Sequence, residues 1–143
     1  DSTYVPPENN PDNGKSYLNV TPKKAGNFAL LGYSTDGNSN GQETQVKGSS
    51  ALPLSLAQVV VVADAAGDKL KLYINGVKAA EQAWTGNLAA INDVNVWLGR
   101  SQYGGDPELS AVFHEFRVYG AALTDADVTT SYVAGPDPAF LAY

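Results

Sequence analysis

Acids, one histidine and a few aromatic rings are the side chains in this 143-residue chain that could do chemistry. Cleaving a glycosidic bond takes two carboxylates about 5–10 Å apart across a cleft, which a β-strand supplies by carrying acids at alternate positions. No strand-like stretch offers that spacing. Glu115 is followed on its own parity by Arg117, and an ion pair is the plainer outcome. His114 is the only histidine, so a nucleophilic triad would have to be built around it. Its parity groups it with Phe116 and Val118, which predicts a packed, hydrogen-bonded histidine facing the core. Cysteine is absent, which removes thiolate nucleophiles, disulfides and the usual zinc ligands together. No Gly-rich loop leads into a helix N-terminus, so phosphates and dinucleotides have no platform. These residues predict a protein that is not an enzyme.

Binding chemistry has two candidate locations. Residues 36–41 (DGNSNG) place the oxygen ligands Asp36, Asn38 and Asn40 at alternate positions, with glycine allowing a sharp turn, the pattern of a calcium loop. The twelfth position of such a loop is Lys47 where a bidentate glutamate is required, and no helices flank it. A polar hairpin turn accounts for the same residues equally well. Sugar recognition needs an aromatic face beside planar hydrogen-bonding groups. Trp84, Arg100, Tyr103 and Asp106 are the ligand-binding candidates, because they sit in loops or at strand ends where a sandwich presents its rim. The alternative is that Arg100 pairs with Asp106 only to hold its loop. Trp97 and Tyr119 are assigned to the sheet cover or the core.

The elements that would position these groups are short strands. Residues 16–21 and 27–34 alternate around a Lys-Lys-Ala-Gly turn and read as a hairpin. Residues 42–47 form a further polar strand. Residues 59–63 (VVVVA) are β-branched throughout and too short for a helix, which predicts a strand buried on both faces. Residues 69–74 alternate Leu70, Leu72 and Ile74 against Lys69, Lys71 and Tyr73. Asn75-Gly76 then supplies the two positive-φ residues of a type I′ turn, returning residues 77–82 as the partner strand. Residues 94–98 and 111–119 (AVFHEFRVY) are two more predicted strands. One helix is expected: Thr124 caps it, Asp127 completes a capping box, Val128 and Tyr132 share a face, and Gly135-Pro136 ends it. The sum is an all-β antiparallel sandwich with one short C-terminal helical turn, one domain over residues 1–143. Residues 1–15, with three prolines, three asparagines and Gly14, read as a loop-like lead-in.

Bulk properties narrow the partners. Fifteen acids against nine Lys and Arg give a net charge of −6, which repels phosphate backbones and argues against nucleic acid. No apolar run approaches the roughly 18 residues of a membrane span, and no signal-like segment opens the chain. A chain without methionine that opens on Asp1 is expected to be processed or cut from something longer.

Across residues 59–135, the ordered set of residues 69–76 (KLKLYING), 97–103 (WLGRSQY) with Asp106-Pro107, and 115–123 (EFRVYGAAL) running into 124–132 resembles the laminin-G-like, concanavalin A-like jelly-roll modules of bacteria. The resemblance implies a non-catalytic module of a secreted bacterial protein, extracellular or at the cell surface, that binds a glycan or tethers a neighbouring domain. A structural or adhesive protein-binding domain without glycan affinity stays open, as does a fragment of a larger glycosidase whose catalytic residues lie elsewhere. It further implies a structural calcium ion without identifying its ligands. Three departures stand out. His114-Glu115 replaces the usual Asp-Glu pair, and Ala57-Gln58 stands where a tryptophan precedes the valine-rich strand. Such modules also begin with additional strands ahead of the region matching Ser16. The chain is therefore expected to lack its N-terminal strands, with an upstream segment of the same precursor completing the sheet.

Overall fold

The computed structural model describes residues 16–35, 43–91, 96–101 and 106–137. Among these residues, six strands form two antiparallel three-stranded sheets, the expected all-β sandwich, followed by a short helix. The first sheet has the order β1 (Tyr17–Lys24), β2 (Phe28–Ser34), β3 (Thr44–Lys47). Its first hairpin turns where Gly26 and Asn27 adopt φ of 95° and 61°. The β1–β2 register slips between Thr21 and Lys24, around Pro22, which has no N–H to give a ladder. The second sheet has the order β4 (Val59–Asp64), β5 (Lys69–Ile74), β6 (Val77–Ala83). Asn75 and Gly76 take φ of 53° and 76°, as the type I′ turn between β5 and β6 requires.

The period-2 alternation decides what lies between the sheets. Ala29, Leu31, Tyr33 and Val46 from the first sheet meet Leu70, Leu72 and Trp84 from the second in one buried cluster. On the opposite face of the second sheet, Val62 and Tyr73 pack against Val128 of the helix α1 (Asp125–Ala134). This explains the unbroken valine run of β4. Val59, Val61 and Ala63 pack on the inter-sheet core, while Val60 and Val62 pack on the helix side. Both faces of β4 are thus apolar, yet only Val62 is fully buried. The expectation of a strand buried on both faces needs correcting, because β4 is an edge strand that pairs only with β5 among the described residues.

Helix α1 forms as its sequence predicts. Thr124 and Asp127 make a reciprocal capping box, and Gly135 at φ 72° ends the helix. Its docking is polar as well as apolar. Tyr73 Oη donates to Asp125 Oδ1 at 2.6 Å, Thr129 Oγ1 donates to the Gly76 carbonyl at 2.9 Å, and Gln58 Nε2 donates to Ser131 Oγ at 3.2 Å. No described helix is long and apolar enough to cross a membrane.

Two predicted strands differ in the structure. Residues 94 and 95 lie outside the described residues, and residues 96–98 join no ladder. Residues 111–119 also form no strand, and every residue of the segment except Glu115 is exposed. Alternating apolar residues make a segment able to pair, but a ladder needs an adjacent edge. The edges of β1 and β4 face residues 106–123 across a hollow of about 2890 Å³. His114 is consequently exposed, and the predicted packed core histidine is overturned, because the segment joins no sheet that would cover it. Glu115 and Arg117 do form the expected ion pair.

Candidate functional site

At one end of the sandwich, the finish of β2, the start of β3 and the chain leaving β6 enclose a hollow of about 310 Å³. The register explains the meeting: β2 and β3 are antiparallel with Tyr33 opposite Thr44, so the end of one strand lies beside the beginning of the other. Tyr33, Ser34, Thr35 and Thr44 supply one side, and residues 83–86 supply the other. The two sides are bound together by aromatic packing and by one phenol. The Tyr33 and Trp84 rings meet edge to face with centroids 5.2 Å apart and planes at 87°. Tyr33 Oη donates to the Asn87 carbonyl and accepts from Asn87 N–H, both at 2.9 Å. Asn87 in turn caps a short 3₁₀ turn, Leu88–Ala90, by accepting from Ala89 N–H through its side chain.

Gly86 is required here for space. A Cβ on it would stand 2.6 Å from Tyr33 Cε1 and closer still to the indole nitrogen of Trp84. That nitrogen is buried and has no hydrogen-bond partner. Trp84 is 4 % exposed, so it offers no open ring face for stacking on a sugar and sits in the floor of the hollow. The rim platform expected of it is corrected by this burial. Its position as the residue following β6 turns it inward, where Tyr33 covers it.

Arg100 and Asp106 lie elsewhere, in the turn that follows residues 96–98, and they border the large hollow and not the Trp84 one. The Arg100 guanidinium stands 5.0 Å from the centroid of the Trp97 ring, a cation–π contact. Asp106 accepts from Ser101 Oγ at 2.7 Å. Leu109 N–H donates to the Gly99 carbonyl at 2.7 Å, and Gly99 has φ of 76°. Trp97 is half-buried while Arg100 and Asp106 are exposed. Tyr103, Asp36, Asn38 and Asn40 lie outside the described residues. The four ligand candidates are therefore not brought together: Trp84 belongs to one hollow, Arg100 and Asp106 to another. Tyr33, Thr44, Thr85 and Gly86 are site residues that the sequence did not single out. The available signal was an aromatic at the end of β2, which period-2 patterning reads simply as core.

The carboxylates are arranged for structure. Asp64 is held below the usual carboxylate range mainly by the hydrogen bond from Lys71, 2.9 Å away. Glu81 is lowered chiefly by Lys78, Asp125 by Tyr73 and then Lys78, and Asp127 by Thr124. Burial pushes the Tyr73 phenol up to about 12, with the hydrogen bond to Asp125 and its charge adding to the effect. Among the described residues, no group of three His, Asp or Glu side chains is assembled to hold a cation.

A laminin-G family model described as the Concanavalin A-like lectin/glucanases superfamily matches residues 2–129. No curated protein matches the chain. Among solved structures, the chain is similar to residues 221–444 of an S-layer domain-containing protein from Clostridium thermocellum, at 19 % identity and a TM-score of 0.45. That match covers 85 % of this chain and 58 % of the other, so the chain spans little more than half of that length.

Proposed function

Because the chain belongs to the concanavalin A-like lectin/glucanase superfamily, we propose that it is a non-catalytic carbohydrate-binding module and that the Trp84 hollow holds one sugar unit. The observation that carries this is the lining of the hollow: Ser34, Thr35, Thr44 and Thr85 contribute hydroxyls, and the Tyr33–Trp84 pair closes the floor. Among the described residues, no carboxylate or cationic side chain lines it. A neutral ligand rich in hydroxyl groups matches such a surface, and about 310 Å³ stands at the small end of ligand pockets. Charge supports the non-catalytic reading. A glycosidase needs one carboxylic acid with a raised pKa to protonate the leaving group. Four of the fifteen acids, Asp64, Glu81, Asp125 and Asp127, are shifted the other way and stay ionised. A module of this kind works outside the cell, with a glycan or a neighbouring domain as its partner.

Thr44→Val and Thr85→Val remove hydroxyls while keeping β-branched shape, and retention on a glycan array reads the result. Both variants should lose most of the wild-type signal while Tyr103→Ala keeps it. Undiminished retention by both threonine variants, or a loss confined to Tyr103→Ala, would move the site away from the hollow.

A further inference from the structure

Two side-chain polar atoms among the described residues are buried with no hydrogen-bond partner, Gln58 Oε1 and Trp84 Nε1. Native structures pair nearly all such groups, because an unpaired buried donor or acceptor keeps the whole cost of leaving water. Gln58 sits against α1, where its amide nitrogen already donates to Ser131 Oγ. Trp84 belongs to the floor of the smaller hollow, and its indole N–H is a donor there without an acceptor. What closes the nitrogen off is the main chain at Gly86. A β-carbon on that residue would stand 2.6 Å from both Trp84 Cε2 and Tyr33 Cε1, and nearer still to Nε1. Gly86 is half-buried and Thr85 is exposed. They form a two-residue span between Trp84 and Asn87, whose backbone is held by Tyr33 Oη.

The surroundings of that nitrogen restrict what can pair with it. The side chains beside it are aromatic rings, and the Tyr33 hydroxyl already both donates to and accepts from Asn87. A sugar hydroxyl set against those rings could accept from the indole, but its own hydrogen would be left without an acceptor. An oxygen that only accepts carries no such penalty. A carboxylate is one, but it brings a charge, and among the described residues no cationic side chain lines the hollow to offset it. A sugar's ring oxygen is held between two carbons and does not reach into a recess. A neutral amide carbonyl does, and an attached methyl group matches Ala83 and the two rings. Resting on the reading of this hollow as a sugar site, we infer that the unit it takes is an N-acetylated amino sugar. Its acetamido carbonyl accepts from the Trp84 indole N–H once Thr85 and Gly86 lift, and its hydroxyls meet Thr44 and Thr85. Such loop movement accompanies binding in a substantial minority of complexes.

Nuclear magnetic resonance of the nitrogen-labelled chain reads the pairing directly. The two tryptophans give two indole N–H signals, and Trp97→Phe identifies the one that belongs to Trp84. The probes are the methyl β-glycosides of N-acetylglucosamine and N-acetylgalactosamine, each set against the glycoside of its parent hexose. At least one N-acetylated probe should bind more than tenfold more tightly than its parent. The same probe should move the Trp84 indole proton downfield and slow its exchange with water. Trp84→Phe keeps a ring and loses the N–H, and should bring the N-acetylated probe down to the affinity of its parent. Should that variant fail to fold, the titration of the wild-type chain decides alone. N-acetylated and parent probes that bind equally well, or binding that shifts the backbone amides of Thr44 and Thr85 while the Trp84 indole signal stays put, would overturn the inference and leave the hollow a sugar site. Probes that move none of these signals would overturn the sugar site and the inference together.

Discussion

Replacing Tyr73 with phenylalanine isolates the contact that fastens helix α1 to the second sheet. Tyr73 is 1 % exposed, and its hydroxyl donates to Asp125 Oδ1 at 2.6 Å. A hydrogen bond to a charged acceptor contributes about 1.5–3 kcal/mol. The Asp125 side chain is 61 % exposed and also held by Lys78 at 3.2 Å, so water replaces the lost donor and the cost belongs at the low end, about 1.5 kcal/mol. The melting temperature at neutral pH should fall by about 4–5 °C. The alkaline limb makes the test sharper. The phenol titrates near 10.0 when unfolded and at about 12 in the folded protein. Its folded value is raised, so the stability it contributes is complete below the unfolded value and is lost as pH rises towards the folded one. The loss is about 1.4 kcal/mol per pH unit, or roughly 2.7 kcal/mol across the window. The variant has no such group. Wild-type and Y73F stability curves, measured by urea unfolding followed by circular dichroism, should therefore cross near pH ~11, with the variant the more stable above it. A difference between the two proteins that stays constant from neutral pH to pH ~12 would refute the coupling between Tyr73 and the fold.

Two further substitutions probe the same docking. Gly76→Ala forces a β-carbon onto a φ of 76° and to 2.8 Å from Tyr132 Cβ, and should cost about 2–3 kcal/mol in urea unfolding. Tyr132→Gly removes the colliding β-carbon together with the ring, and measured against Tyr132→Gly alone the Gly76→Ala penalty should shrink to about 1–2 kcal/mol from the backbone; an undiminished penalty in that background would show that the contact with Tyr132 is not the cause. Thr124→Ala removes the side chain that accepts from Asp127 N–H at 3.1 Å, and should lower stability by about 1 kcal/mol. Thr124→Ser keeps the oxygen and should recover most of that loss, and its failure to do so would discount the cap.

What could be read from the sequence were features written locally. Asn75-Gly76 specifies positive φ at two adjacent residues, and only one hairpin turn uses that pair; the structure places it there. Thr124 and Asp127 specify a helix start by reciprocal hydrogen bonds three residues apart, and Gly135 ends the same helix. Leu70 and Leu72 are buried and the charged residues beside them are not, as their alternation implies. Tyr73 shares the parity of Lys69 and Lys71, yet it is buried because α1 returns over that face. Period-2 alternation reports the two faces of a strand, but it does not report that a distant helix covers the second one. The hollow was hidden for a similar reason. It joins the ends of β2 and β6, which are about fifty residues apart in the chain, and its glycine is explained only by the two rings that crowd it.

The valine run and residues 111–119 show where local pattern stops carrying information. Both have side chains suited to a strand, and one becomes β4 while the other forms no ladder. The difference is the neighbour. Val59–Asp64 lies a four-residue turn from Lys69–Ile74 and pairs with it residue for residue from Val59–Ile74 to Asp64–Lys69. Asp64 then fixes that turn, accepting from Gly67 N–H and pairing with Lys71. Among the described residues, 111–119 have no hairpin partner on either side: Gly99–Leu109 is the nearest backbone contact before them, and α1 follows. Without a short loop to bring a second strand alongside, their pairing must be non-local, and closing a long loop costs chain entropy before any ladder bond repays it.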